Sequence, residues 1–548
     1  MDRADMKNDY PVVVIGAGPV GLCAAIELAR RGIECLVVDK GEGRNEHPRA
    51  NVVSPRSMEH FRRWGIDQKV IDAGLPRTHR TDVIFTTRLF GSEISRFSFP
   101  SIAECSAADP DLMRAYPELA HSPYFKTAVG QNHLEPVLRA HAESLHALTL
   151  RLSQEVVALQ QDGGGVAVEL SSGAGPRQTV TARYVVACDG ASSFVRSELG
   201  IEMEGKPALG QNVGVYFLAP GLIERARLGT GILYWTLAPG AHGVFIAIDG
   251  RQEWVLQRHL VAGESLDDFD ARQAVIDSLG EEFPFDIQTV QPWIPRQLVA
   301  QTYRVGRVFL AGDSAHLLSP TGGFGMNTGI GDAIDIGWKL AACLAGWGGP
   351  TLLDSYDRER RPIAWRNAVE ATDNRRHLDA CTPPAEIEEL SQNGSNIRQE
   401  WAERIQRQKK HFAALGIHLG YRYDESPIVL GDGTPAPPDD PMNYCPTARP
   451  GSRAPHAWLS PGRSILDTFG PGYTLLRFGS DAPDCSAWRT AASELGNPLS
   501  ITDIDSAEAA QLYENRLVLV RPDGHVSWRA DEPPADTFAI LRRVSGTY

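Results

Sequence analysis

Near the start of the chain, the apolar run Val12-Val13-Val14-Ile15 breaks into Gly16-Ala17-Gly18-Pro19-Val20-Gly21, and an Ala/Leu-rich stretch then runs through Arg31. The continuous apolar run predicts a buried parallel strand, and the Ala/Leu-rich stretch predicts a helix. A second run, Cys35-Leu36-Val37-Val38, ends at Asp39, 18 residues after Gly21. The unit is therefore strand, glycine turn, helix, strand. Gly16 allows the tight turn, Gly18 lets backbone approach a pyrophosphate, and Gly21 lets helix and strand pack closely, with the carboxylate placed for a ribose. The spacing predicts a dinucleotide site with phosphates at the helix N-terminus. The uncharged stretch from Val12 to Ile26 is too short to span a bilayer. Asp2, Asp5 and Asp9 precede it where a leader peptide carries positive charge, so neither a membrane span nor a targeting segment is expected.

Two more strands end in acidic turns. Arg183-Tyr184-Val185-Val186-Ala187-Cys188 runs into Asp189-Gly190, and Arg307-Val308-Phe309-Leu310-Ala311 runs into Gly312-Asp313-Ser314-Ala315-His316. After the latter, Pro320-Thr321-Gly322-Gly323-Phe324-Gly325-Met326-Asn327 forms a glycine-rich loop that opens a helix through Leu340. Taken singly, Asp189 is also what a turn uses, and Asp313 what a helix cap uses. Segments between them, such as Gly231 to Leu237, alternate as antiparallel strands do. The expected fold class is α/β, in interleaved pieces. A Rossmann-type domain takes residues 1–80, 115–205 and 300–375, and an antiparallel-sheet substrate domain takes 81–114 and 206–299. Residues 376–444 read as a helical segment and linker, with Gly431 to Pro455 dense in Gly, Pro and Asp; residues 445–548 read as a small α/β domain.

Composition narrows the function classes. The 548 residues carry 54 Lys and Arg against 68 Asp and Glu, a formal charge of −14. So acidic a chain is ill suited to neutralise phosphate backbones, and no nucleic-acid partner is expected. Eight cysteines, at 23, 35, 105, 188, 343, 381, 445 and 485, include no CxxC pair. Neither a zinc ribbon nor a dithiol redox centre is therefore written here, no metal is expected, and such sparse usage fits a reducing cytoplasm.

The ordered set GAGPVG, CDGASS and GDSAHLLSPTGGFGMNTGIGDA resembles the FAD-dependent aromatic hydroxylases with the para-hydroxybenzoate hydroxylase fold. It is most similar to the phenol hydroxylase branch, which carries a thioredoxin-like C-terminal domain. The resemblance implies that Gly16, Gly18 and Gly21 hold the FAD pyrophosphate and Asp39 the adenosine ribose, with Lys40 also a cofactor-binding residue. It implies further that Arg49 and Gln131 lie along the FAD chain, that Asp189 touches FAD and the nicotinamide path, and that Asp313 binds the ribityl hydroxyls. Backbone from Gly322, Gly323, Gly325, Met326 and Asn327 would then face the flavin N1 and C2 carbonyl, where charge appears on reduction.

The resemblance also implies a reaction: NADPH or NADH reduces FAD, O2 is captured as a flavin C4a-hydroperoxide, and a phenolic ring is hydroxylated. The expected partners are thus a small aromatic substrate, O2 and NAD(P)H, with the C-terminal domain packed on the main body or on a second copy in a homodimer. The substrate pocket is expected between Pro320–Gly323 and the sheet bearing Tyr234 and Trp235, with Asn51 on its wall. Tyr234 is the expected hydrogen-bonding phenol, Trp235 and Pro320 substrate contacts, although alternation turns only one of Tyr234 and Trp235 inward. At one place the chain departs from the branch: Asn51 stands where phenol hydroxylase has an aspartate base. A carboxamide orients a hydroxyl but takes no proton at neutral pH. Either the base sits elsewhere, or the substrate arrives ionised, as a nitrocatechol would. Oxidation of a polycyclic antibiotic precursor by the same fold is the alternative within the class; a plain NAD-dependent dehydrogenase, the alternative outside it, leaves the Asp-Gly and Gly-Asp motifs unexplained.

Overall fold

The computed structural model describes residues 7–107, 109–173, 175–260, 264–379, 382–479 and 481–548. Asp2, Asp5 and Cys381, used in the sequence argument, lie outside the described residues. The first sheet runs in the order Arg304–Val305, Val308–Leu310, Gln178–Ala187, Asp9–Ile15, Cys35–Val38, Leu148–Arg151. From Val308–Leu310 to Leu148–Arg151 the neighbours pair in parallel. Val12, Val13, Val14, Leu36, Val37, Val185 and Val186 are all fully buried. Such strands need cover on both faces; the helices Pro19–Ala29, Gln131–Glu143 and Phe324–Leu344 pack together beside them. Because the central strands are parallel, Gly16, Asp39, Asp189 and Asp313 all emerge at their carboxyl ends, where open α/β sheets bind ligands.

The second sheet has seven strands, from Asp286–Trp293 through Asn212–Leu218, Glu253–His259, Gly243–Ala247, Leu233–Thr236 and Val83–Thr86 to Glu93–Phe97. It is antiparallel but for one pair, Leu233–Thr236 with Val83–Thr86. Gln392–Gln406 packs on its Glu93–Phe97 edge.

The C-terminal sheet has the order Leu499–Ile504, Tyr473–Phe478, Leu517–Val520, Val526–Ala530, with the first pair parallel and the rest antiparallel. With helices Ser486–Leu495, Ala507–Tyr513 and Thr537–Ser545, this is the thioredoxin topology. Residues 431–455, read from composition as a linker, contain no regular element but are tied down: Asp432 pairs with Arg529, and Asp439 with Arg366.

Charges buried to 1% exposure or less join this domain to the body. Arg521 donates to Glu359 (2.7 Å) and Asp335 (3.0 Å), both of which also receive Lys339 (2.6 and 2.7 Å). Arg453 reaches Glu59, which Arg56 and Ser122 also satisfy. The C-terminal domain thus packs on its own main body. Among the described residues, no helix is long and apolar enough to cross a membrane.

Burial in this domain depresses two histidines: His456 is pushed down to about 4 and His525 to about 4. Unfolded histidine titrates near 6.5, so below that pH the unfolded chain binds the extra protons. Stability is then fully present above about pH 6.5 and is lost as pH falls toward 4, by about 1.4 kcal/mol per pH unit per histidine. Urea unfolding at pH 7, 6 and 5 should show this loss, and His456→Gln should roughly halve it; a pH-independent midpoint would contradict the assignment.

Candidate active site

The glycine turn is built for close backbone approach. A Cβ on Gly16 would collide with the Cys188 carbonyl, and one on Gly21 with the carbonyl of Gly16, whereas Gly18 faces open space. Gly18 caps the Pro19–Ala29 helix without any side-chain hydrogen bond, leaving first-turn N–H groups for a ligand. Asp39 braces the turn, accepting from Ala17 N–H (2.6 Å) and Gly41 N–H (2.7 Å). Lys40, next in the chain, and Arg49 are exposed.

A second uncapped helix begins across from the first. Gly322 (φ 101°) and Gly323 (φ 70°) take left-handed conformations that few other residues tolerate, and Gly323 caps Phe324–Leu344 with no side-chain bond. Gly322, Gly323, Gly325, Met326 and Asn327 remain half-buried, and Pro320 is exposed. Asp313 also keeps an exposed surface, yet protein surrounds it closely: burial raises its carboxyl above the ordinary range, opposed by His316 and Arg49. It lies in a cleft. Arg49 acts on Asp313 and on Glu135, and Gln131 donates to Glu135 (2.6 Å), so these residues share one neighbourhood.

The Asp189 and Asn327 side chains are both engaged within the protein. The Asp189 carboxylate accepts from Ser193 (2.6 Å), Ser314 (2.8 Å) and Val195 N–H (3.1 Å), so it braces the Gly-Asp segment against the neighbouring strand. Asn327 accepts from Ser54 N–H and Ser57 Oγ (both 2.8 Å) and donates to Val52 (3.0 Å) and Gly323 (2.8 Å). With both amide hydrogens and its oxygen taken, it clamps the loop to residues 52–57 and leaves only backbone to face a ligand.

Tyr234, expected to hydrogen-bond the substrate, is instead buried on the other side of the sheet. Its ring is 1% exposed against Trp254, and its hydroxyl donates to the Gly229 carbonyl (2.8 Å). Register decides the matter: Trp235 pairs with Phe85 and Val244, Val244 with Gln257, and Gln257 with Gly214, whose Cα lies close under His47. That face looks toward the first domain, and Tyr234 points to the other. Trp235 stacks on Phe85 (6.2 Å, 12°), while its indole N–H is buried without a partner. Asn51 accepts from Val129 N–H (3.1 Å), and its amide nitrogen is likewise buried and unpartnered.

Sequence reasoning missed Asp332, Phe412, His418 and Lys126. Asp332, wholly buried, accepts from Gly312 N–H (3.1 Å), His316 (2.8 Å) and Arg360 (2.8 Å). Its place 19 residues after Asp313, in the third turn of the next helix, carried a weak signal; the others sit in stretches with no telling spacing.

Comparison with known proteins agrees with this geometry. Residues 9–371 match the model of the FAD binding domain family, and 447–547 that of the aromatic-ring hydroxylase C-terminal family. A putative polyketide hydroxylase of Streptomyces halstedii is 35% identical, covering 100% of this chain and 98% of its own. A 4-methyl-5-nitrocatechol 5-monooxygenase of a Burkholderia species is 32% identical, covering 98% and 97%. The rebeccamycin biosynthetic enzyme RebC with reduced flavin superposes with a TM-score of 0.90 at 36% identity, covering 99% of this chain and 100% of that one. The chain belongs to the FAD-dependent aromatic-ring hydroxylases, and is an FAD-dependent monooxygenase using NAD(P)H. Its residues fit that cofactor: two uncapped helix N-termini, a glycine left open at one of them, and a carboxylate in a cleft suit a diphosphate, an electron-rich ring edge and polyol hydroxyls.

Asp332→Asn should strand the Arg360 guanidinium in the interior. Urea unfolding should show a loss of about 3–5 kcal/mol, the cost of breaking a buried pair. An unchanged midpoint would show that Asp332 does not hold the site together.

Proposed function

We propose that this protein hydroxylates an extended, fused-ring phenol in the cleft between the glycine loop and the second sheet. The observation that carries this reading is the meeting of the two across Val52. Val52 lies under Gly323 and packs with the cluster that contains Phe85, Phe97 and Trp235. Phe412 closes that wall, edge-on to Phe85 (6.0 Å) and tilted on Phe97 (5.5 Å). Phe85 and Phe97 are buried behind this wall, and Trp235 and Phe412, which stay half-buried, are the rings left to meet a flat substrate of more than one ring. The likeness to a polyketide hydroxylase and to a rebeccamycin biosynthetic enzyme supports the same size class.

In this reading Gly16, Gly18 and Gly21 hold the FAD diphosphate, with Asp39 and Lys40 at the adenosine ribose and Arg49 and Gln131 along the chain. Asp313 holds the ribityl hydroxyls, Asp189 and Asn327 fix the backbone, and the 322–327 N–H groups face the flavin pyrimidine edge. When bound and reduced, FAD supplies the activated oxygen. The chain's own residues orient the ring through Trp235 and Pro320, exclude water with Phe85, Phe97 and Phe412, and offer Asn51 and Trp235 N–H groups to substrate oxygens. All of this lies within one chain. The seven described cysteines are free, in keeping with a cytoplasmic setting.

A second reading, a single-ring nitro-substituted phenol, is favoured by Asn51, which takes no proton, and by the nitrocatechol relative. Substrate-dependent NAD(P)H oxidation over phenols, nitrocatechols and fused-ring phenols, with product and peroxide both measured, separates the two. Fused-ring phenols should give hydroxylated product with little peroxide. Coupled turnover confined to nitrocatechols would favour the second reading, and no hydroxylated phenol at all would overturn both.

Asp313→Ala should weaken FAD retention about ten- to a hundredfold, the worth of a charged-group hydrogen bond of about 1.5–3 kcal/mol. The check is the flavin-to-protein ratio after gel filtration, and full retention would remove Asp313 from the site.

A further inference from the structure

Lys126 is a cation in an aromatic setting. Its ammonium lies 3.4 Å from the Phe99 ring centroid and 5.5 Å from that of Phe125, and donates to the Phe412 carbonyl (2.9 Å). No carboxylate lies within ion-pair distance of it among the described residues. Charged and titratable neighbours act from several elements: Asp82 before Val83–Thr86, Glu118, and His418, which meets the Phe324 ring edge-on (5.5 Å). Lys126 and His418 both keep half-exposed surface. Contacts tie them to the proposed substrate wall. Lys126 holds Phe412, Phe412 packs on Phe85, and Phe85 stacks on Trp235; His418 touches the first residue of the glycine-loop helix.

We infer that Lys126 is the base that Asn51 cannot be: its amine takes the proton of the substrate phenol, and the ammonium so formed holds the phenolate. The O–H bond breaks, an N–H bond forms, both O–H electrons stay on oxygen, and no oxidant is consumed. The inference rests on the proposed phenol substrate. Burial supports it, pushing the Lys126 ammonium down to about 7 against the opposing pull of Asp82 and Glu118. The free enzyme therefore holds both the amine that accepts a proton and the ammonium that pairs with an anion. Trp235, whose buried indole N–H lacks a partner, adds a second donor on the same wall. A wall of donors suits an oxygen that has lost its proton.

The test uses FAD-loaded wild type, Lys126→Met and Lys126→Arg, each checked for flavin content and melting temperature. Alizarin, a fused-ring phenol whose ionised form has a different colour, reports protonation on binding. Wild type should turn bound alizarin to its ionised colour at a pH where free alizarin is neutral. Lys126→Met should lose that colour change and lose turnover of unactivated phenols by about 10²–10⁴-fold, but lose less than tenfold with nitrophenols, which are already ionised. Lys126→Arg stays protonated at all working pH; it should keep the colour change and lose the rise of unactivated-phenol turnover as pH passes about 7. A flavin-replete Lys126→Met with wild-type colour and turnover overturns the assignment while leaving the phenol reading intact. Wild type that neither binds alizarin nor hydroxylates any phenol overturns the phenol reading, and the inference with it.

Discussion

Asp332 is the joint on which the cofactor side of the molecule turns. One buried carboxylate holds the Gly312 turn, the His316 ring and the Arg360 guanidinium, so the strand carrying Asp313, the glycine-loop helix and the helix Pro350–Asp379 share a single fixed point. Burial alone would push its proton affinity up; Arg360 and His316 reverse this and hold it ionised. Arg360 also donates to the Thr328 carbonyl and to Tyr423, carrying the constraint from the loop helix to the chain that leads into the C-terminal domain. Charge in a dry interior is tolerated only with complete pairing, and that demand fixes the spacing of these elements.

The same rule explains what the C-terminal domain contributes. Cys445 and Cys485 lie far apart in sequence, and Cys485 is buried, its thiol raised by burial. What the domain contributes is Arg453, Arg521 and Asp523, which close charge networks on helices of the cofactor domain. His525 packs on Tyr423 at 4.3 Å, within reach of the same network. The domain thus supports the site from behind.

Much of the cofactor side was legible in the sequence, because close backbone approach and parallel burial leave local marks. Gly16 and Gly21 are glycines for steric reasons that their spacing reveals, Gly18 leaves open space at the helix start, and Val12–Ile15 is apolar because both faces of its strand are covered. The substrate side was legible only in part. Alternation required one of Tyr234 and Trp235 to face inward, but the phase of the strand is set by Trp254 packing and by the Gly229 carbonyl, neither of which spacing announces. The side chains of Asp189 and Asn327 brace backbone, since a backbone that must present N–H groups has to be held by something. Lys126 and Phe412 are 286 positions apart in the chain and meet only in the fold.

The central claim is that this cleft places an aromatic ring where one atom of O2 is delivered to it. The most direct measurement is mass spectrometry of the product formed from a fused-ring phenol under ¹⁸O2 in unlabelled water, with NAD(P)H as reductant. One labelled oxygen on the ring is the expected result. A product whose new oxygen comes from water, or oxidation that adds no oxygen, would contradict it.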